Sequence, residues 1–148
     1  MSFISSLQRK TPKKRKKFEI LDHLSDLKVK VFGKTRKELF KNAMVAMFEG
    51  ADYQKDSKSQ AEKCKIEISS FDFSSLLVDF LSEILYLSET KKLVFEKIKF
   101  QKFSEKEISA ILFGKRLKRM GVHVKGVTYH GLKIKKNKIF KAEILFDI

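Results

Sequence analysis

Two carboxylates, an imidazole and a hydroxyl lie within the five residues Asp22-His23-Leu24-Ser25-Asp26, between two strand-like apolar runs. Carboxylate oxygens a few residues apart on a tight turn can converge on a hard cation such as Ca²⁺ or Mg²⁺. Asp and Ser in a short connection are also common turn formers that bond their own backbone. The residue types alone therefore leave a metal site and an ordinary turn as alternatives.

A hard-cation site usually needs more oxygens than a pentapeptide can direct inward, so a distant acidic partner is expected. The candidate is Asp147, which stands in the otherwise apolar strand end Leu145-Phe146-Asp147-Ile148. A carboxylate buried in such a strand is costly without a partner. If the turn binds a divalent cation, the C-terminal Asp is thus its expected partner.

The segment 124–132 is the third stretch whose side chains could take part in binding or catalysis. In an extended strand Lys125, Val127 and Tyr129 share one face, which places Lys125 among apolar neighbours. Its ammonium would then either reach solvent along the apolar stem or meet an acidic partner. A cation there could balance the carboxylates of a metal site or contact a partner protein.

Motifs that are absent limit the function classes. The chain has no phosphate-cradling Gly-rich loop and no Gly-x-Ser-x-Gly nucleophile elbow. The three histidines show no paired spacing, which argues against zinc, and the single Cys64 cannot form an internal disulfide. No apolar run reaches the ~20 residues that span a bilayer. The prediction is a soluble, cytoplasmic protein without a membrane contact.

Positive charge is concentrated at the N-terminus. The net charge is +15, and seven basic residues fall within 9–17, so the rest of the chain carries +8. Residues 1–17 are predicted to form a flexible basic arm, because a block of like charges resists packing. Such a field attracts polyanions such as RNA. A lysine-rich surface without a nucleic-acid role remains the alternative.

The order of the predicted elements indicates an α+β fold in one domain, residues 18–148. Strands are expected at 18–21, 27–31 and 64–68, with two amphipathic helices that begin near Thr35 and near Asp72 or Ser74. The first helix is expected to stop at Gly50. From Lys92 onward strands run consecutively, at 93–103, 108–117, 121–129, 132–135 and 139–146. The architecture predicted is a two-layer, largely antiparallel sheet with both helices on one face.

Several of these segments together resemble the archease family over nearly all of residues 18–148. The acidic turn is similar to the Asp-His-Thr-Ala-Asp turn of that family. The other segments that carry the resemblance are Gly33-Lys34-Thr35, Glu38-Leu39-Phe40, 43–48, 76–86, Val124-Lys125-Gly126-Val127-Thr128-Tyr129-His130-Gly131-Leu132 and Phe146-Asp147-Ile148.

The resemblance implies a non-enzymatic activator of an RtcB-type RNA ligase in tRNA splicing and RNA repair. Such a protein promotes the GTP-dependent guanylylation of the ligase and supports its multiple turnover. The resemblance also implies a divalent metal, Ca²⁺ or Mg²⁺/Mn²⁺, held by Asp22, Asp26 and Asp147. His23, Lys125 and His130 are the possible accessory residues.

Two other classes remain as alternatives. A basic RNA-binding or chaperone-like module would act through the N-terminal arm and would show steeply salt-dependent RNA affinity. A small metal-dependent hydrolase that uses Asp22, His23 and Asp26 would turn over substrate by itself.

Overall fold

The strands form two antiparallel sheets in the computed structural model, which describes residues 16–21, 26–128 and 133–148. The strands of the first sheet are β1 (Phe18–Leu21), β2 (Asp26–Gly33), β7 (Gly126–Thr128), β8 (Ile134–Lys136) and β9 (Phe140–Asp147). They are arranged in the order β1-β2-β9-β7, and β8 also pairs with β9. The first and last parts of the chain thereby become neighbours in one sheet.

The second sheet is built on one long strand. Its members are β3 (Tyr53–Lys55), β4 (Glu62–Ser69), β5 (Leu93–Phe103) and β6 (Glu107–Met120), and β6 pairs with each of the other three. The predicted turn at 104–106 joins β5 to β6. The α+β class and the antiparallel pairing are confirmed. The strands divide between two sheets, however, since β3, β4 and β5 pair with β6 and with no strand of the first sheet among the described residues.

Both predicted helices are present, and each begins at a predicted capping residue. The first, α1 (Arg36–Gly50), follows Thr35, whose hydroxyl accepts a 3.1 Å hydrogen bond from the Glu38 N–H. The second, α2 (Phe73–Lys91), follows Asp72, whose carboxylate accepts from the Ser75 N–H at 2.8 Å. That hydrogen bond lowers the pKa of Asp72. Each side chain satisfies an amide that the first helical turn would leave unpaired.

The first helix stops at Gly50 as predicted, but the glycine is not the residue with a left-handed conformation. Gly50 is the last helical residue and Ala51 is the cap, while Asp52 adopts the left-handed conformation, with φ of 56°. Gly50 is small for a different reason, since a Cβ there would lie 3.3 Å from the Leu27 side chain. The glycine therefore permits close packing of α1 on β2.

The helices contact strands of both sheets and share one core with them. Phe40 of α1 lies at the centre, with ring centroids 5.1–5.2 Å from those of Phe73, Phe80 and Phe103. These contacts join α1 to α2 and to β5. The helix faces predicted to be apolar are the buried ones.

Two strand predictions were inaccurate. No strand was predicted between the first helix and the strand at 64–68, but Tyr53–Lys55 forms β3. Three residues are too few to show the alternation that identifies a strand, and pairing with β6 decides the outcome. The strand predicted for 121–129 is shorter, since β7 begins at Gly126. Residues 121 and 122 instead donate their amides to Asp52 and Ala51.

Two residues of the predicted arm lie beside the first sheet. Lys16 and Lys17 are exposed, and the Lys17 carbonyl accepts a 3.0 Å hydrogen bond from the Phe32 N–H. Residues 1–15 lie outside the described part of the chain, so the flexible arm stays a prediction. Within the described ranges, no helix is long and apolar enough to cross a membrane.

Substitution of two glycines of the first sheet by alanine should have different effects on stability. A Cβ on Gly33 would lie 2.4 Å from the Leu39 backbone nitrogen, whereas a Cβ on Gly126 would meet nothing within 4 Å. Gly33→Ala should therefore lower the free energy of unfolding by about 1–3 kcal/mol. Gly126→Ala should leave it unchanged or raise it by up to about 1 kcal/mol. Urea denaturation measures both, and equal losses would contradict this packing.

Candidate functional site

Asp26 and Asp147 lie directly opposite each other on neighbouring strands. Asp26 is the first residue of β2, Asp147 is the last of β9, and the antiparallel register pairs them. Residues directly opposite in such a pair project from the same face, with Cβ atoms roughly 4.5–5.5 Å apart. The structure therefore brings together two of the three predicted metal ligands, although they come from opposite ends of the sequence.

A third strand completes the surroundings of the two carboxylates. Gly126 of β7 is opposite Asp147 on its other side, and it has no side chain to cover the carboxylate. An open pocket of about 500 Å³ lies here, lined by Asp26, Gly126, Val127, Thr128, Leu145 and Asp147. A ligand can therefore reach the two carboxylates from solvent.

The charges of Asp26 and Asp147 are not balanced within the described ranges, where neither carboxylate has a hydrogen bond or an ion pair. Lys28, two residues along β2, is instead 3.9 Å from Glu143, measured from Nζ to Oε1. Like charges placed directly opposite in a sheet repel each other. The pair is therefore suited to bind a cation.

The donor set fits a hard divalent cation. Carboxylate oxygens are the ligands that Ca²⁺, Mg²⁺ and Mn²⁺ prefer. Two aspartates supply fewer than the six to eight oxygens of a calcium shell, and the described residues contain no group of three or more His, Cys, Asp or Glu that could hold a metal ion. The other ligands would be water, a bound phosphate or the third predicted residue, Asp22.

Lys125 lies next to this pair. Its backbone N–H donates a 2.6 Å hydrogen bond to the Asp147 carbonyl, and its side chain is exposed. Of the two alternatives for its ammonium, the exposed side chain corresponds to the one that reaches solvent. Val124, the preceding residue, is buried, and β7 begins at Gly126.

A buried tyrosine positions the segment that carries Lys125. The Tyr53 hydroxyl accepts a 3.1 Å hydrogen bond from the Val124 N–H, and burial raises the pKa of Tyr53. Sequence reasoning missed this contact and the opening at Gly126. A glycine inside a strand-like run was the available signal for the opening, because it often marks the close approach of a ligand or backbone.

The remaining predicted residues, Asp22, His23 and His130, lie outside the described ranges. Their roles stay predictions.

Removal of one charge should stabilise the metal-free protein. In EDTA and low salt, Asp147→Asn is expected to raise the free energy of unfolding by roughly 0.2–1 kcal/mol, because it ends the repulsion with Asp26. The gain should shrink at 1 M salt, where charges are screened within about 3 Å. Glu143→Gln is the control on the same face of β9, and it should give no gain because Glu143 is near Lys28. A loss on Asp147→Asn in EDTA would argue against repulsion.

Comparisons with known proteins identify relatives of this chain. Residues 18–148 match the Archease protein family (MTH1598/TM1083). Protein archease of Methanosarcina barkeri is 39% identical over 143 residues, which cover 90% of this chain and 97% of that protein. The archease-like protein of Drosophila melanogaster is 35% identical over 125 residues, 80% of each chain.

Solved structures show the same fold. Protein 1598 of Methanobacterium thermoautotrophicum superimposes with a TM-score of 0.64 at 29% identity, covering 89% of this chain and 99% of that one. An archease from Thermotoga maritima, described as a possible chaperone, gives a TM-score of 0.65 at 18% identity, with 93% and 100% covered. At that identity the second likeness concerns the fold alone. From the family match and the identity to its relatives, the chain belongs to the archease family.

Proposed function

We propose that this protein is a non-enzymatic activator of an RtcB-type RNA ligase. It promotes the GTP-dependent guanylylation of the ligase and its multiple turnover in tRNA splicing and RNA repair. The observation that carries the proposal is the pair of unbalanced carboxylates, Asp26 and Asp147, in an open pocket of an archease-family chain.

The surroundings of the pair favour presentation of a ligand over turnover of a substrate. The residues known to line the pocket include no histidine or cysteine, and both aspartates stand at strand ends. Strand ends that project from a rigid sheet can enter the active site of another protein. If both aspartates hold a cation, an independent hydrolase would need a further base, and the residues known to line the pocket include no histidine, which supports the accessory role.

Each residue of the site has a separate task in this proposal. Asp26 and Asp147 bind and orient a divalent cation, which when bound supplies Lewis-acid stabilisation of phosphate oxygens. The exposed ammonium of Lys125 adds a positive charge beside Asp147 and attracts the phosphates of GTP or a carboxylate of the ligase. Gly126 leaves the approach to Asp147 open. The pairing of β2, β9 and β7 keeps the three strands in fixed register.

Divalent cations should stabilise the wild-type protein through both aspartates. A cation at 100 times its dissociation constant raises the free energy of unfolding by about 2.7 kcal/mol. We expect Ca²⁺, Mg²⁺ or Mn²⁺ to raise the melting temperature of the wild type and of Glu143→Gln. The same cation should have little effect on Asp26→Asn and Asp147→Asn. Isothermal titration calorimetry checks the stoichiometry, and equal binding by all four proteins would refute this site.

The activating role is tested by single-turnover guanylylation of the cognate RNA ligase with labelled GTP. Wild type should accelerate formation of the ligase–GMP adduct. With Asp26→Ala or Asp147→Ala the rate should be at least tenfold lower than with wild type, equivalent to about 1.4 kcal/mol of activation free energy. Lys125→Ala should reduce the effect and Lys125→Arg should partly restore it.

Glu143→Gln is the matched control in this assay, because it removes a carboxylate from the same strand and the same face. It should stimulate the ligase as wild type does. Circular dichroism establishes that every variant is folded. The absence of stimulation by folded wild type would disprove the proposal, and formation of the adduct without the ligase would indicate an enzyme.

A further inference from the structure

A basic groove lies at the opposite end of β2 from the two aspartates. Five of its lining side chains are lysines, from the N-terminal segment and from the start of α1: Lys16, Lys17, Lys34, Lys37 and Lys41. Its volume is about 600 Å³, within the ~300–1,000 Å³ of ordinary ligand sites. Asp26 and Gly33 are the two ends of β2, roughly 23 Å apart at ~3.3 Å per residue. The groove and the acidic pocket are therefore separate.

Most of these lysines lack a counter-charge in the described part of the chain. Lys16 pairs with Glu19 at 2.9 Å, but Lys17, Lys34, Lys37 and Lys41 form no ion pair with any described residue. Glu38, an acidic residue in the same lining, accepts a 2.7 Å hydrogen bond from the backbone N–H of Lys34. The positive charge of the groove is consequently available to an external anion.

The positions of these lysines are electrostatically unfavourable when no ligand is bound. Lys37 and Lys41 are four residues apart in α1, where like charges repel on one helical face. Both Lys34 and Lys37 also lie at the beginning of the helix, the end at which the backbone dipole disfavours cations. An anionic ligand would relieve both unfavourable interactions.

The other wall of the groove is apolar and fixed. Ile98 and Phe100 of β5 line it, and both side chains are partly buried against the core. The ring of Phe100 stacks with Phe80, with 6.3 Å between centroids, and meets Phe103 edge-on at 5.2 Å. The hydrogen bond from Phe32 to the Lys17 carbonyl holds the other rim. The groove therefore exists before a ligand binds.

We propose that this groove binds single-stranded RNA, with phosphates on Lys34, Lys37 and Lys41 and a base against Ile98 and Phe100. A row of cations beside an aromatic wall is the usual construction of a single-strand site. Lys37 and Lys41 are about 6 Å apart along α1, at 1.5 Å per residue, and Lys34 lies two residues before the helix begins, so the row can contact more than one phosphate. Further basic residues precede Lys16 directly in the sequence, at positions 9, 10 and 13–15. The proposal is independent of ligase activation.

The test is fluorescence anisotropy with a labelled twelve-nucleotide oligouridylate and the full chain over a salt series. Wild type is compared with Lys34→Gln/Lys37→Gln/Lys41→Gln. If each lysine holds one phosphate, the triple variant should bind about 50-fold more weakly at 0.15 M salt. Each phosphate contact on a single strand contributes about 0.7 to the slope of log K against log salt. Loss of three contacts should therefore make the slope about 2 units less steep. The corresponding triple Arg variant should bind like wild type.

Lys106→Gln/Lys118→Gln/Lys138→Gln is the matched control, because it removes the same charge from three exposed lysines that have no ion pair with a described residue. An equal loss of affinity in this control would show that the binding depends only on the overall charge of the protein, and it would overturn the proposal. The proposal would also fail if the groove variant lost nothing. It would fail as well if polyglutamate of equal charge bound more tightly than the RNA and depended on the same lysines. Phe100→Leu tests the base contact and should weaken binding to oligouridylate but not to inorganic polyphosphate.

Discussion

The register between β2 and β9 is the constraint on which the acidic pocket depends. Leu27, Val29 and Val31 lie opposite Phe146, Ile144 and Ala142, and all six side chains are buried. Side chains alternate between the two faces of a strand, so Asp26 and Asp147 must project away from the core. A slip of one residue would send the carboxylates inward and the apolar side chains to solvent.

The magnitudes explain why the sheet tolerates two adjacent carboxylates. Burial of one Val, Leu, Ile or Phe side chain contributes about 1.5–3 kcal/mol. Like charges directly opposite cost only about 0.2–1 kcal/mol. The apolar pairs of β2 and β9 therefore fix the register, because their burial outweighs the repulsion between Asp26 and Asp147. In the proposed function, a bound cation would relieve that repulsion by its attraction to both carboxylates.

The same strand separates two regions of opposite charge. The carboxylates lie at the beginning of β2, and the lysines of the groove surround the junction between its end and α1. A divalent cation and a phosphate backbone could therefore occupy the protein at the same time without competition. If both proposals hold, this division would suit an accessory protein for an RNA ligase, because the acidic pocket would hold the metal ion and the groove would hold the RNA strand.

Periodicity and capping signals were sufficient to predict the elements near the site. The alternation of Leu27, Val29 and Val31 predicted β2, and Thr35 and Asp72 predicted where the helices begin. Such signals are local, because they depend on side chains a few positions apart. The sequence also identified Asp26 and Asp147 as partners, first from their chemistry and then from the archease resemblance. Local signals did not reveal β3, which is too short, or the division of the strands between two sheets.

Tertiary structure alone decided the geometry of both candidate sites. The sequence separates Asp26 from Asp147 by almost the whole chain, and only strand pairing places them side by side with Gly126 as the open flank. Lys16, Lys37 and Phe100 are also far apart in the sequence. They line one groove, where the N-terminal segment, α1 and β5 converge. Composition and pattern determine which residues are apolar, charged or helix-forming. The contacts between distant segments depend on how buried side chains of several strands and helices fit together, and no local pattern contains that information.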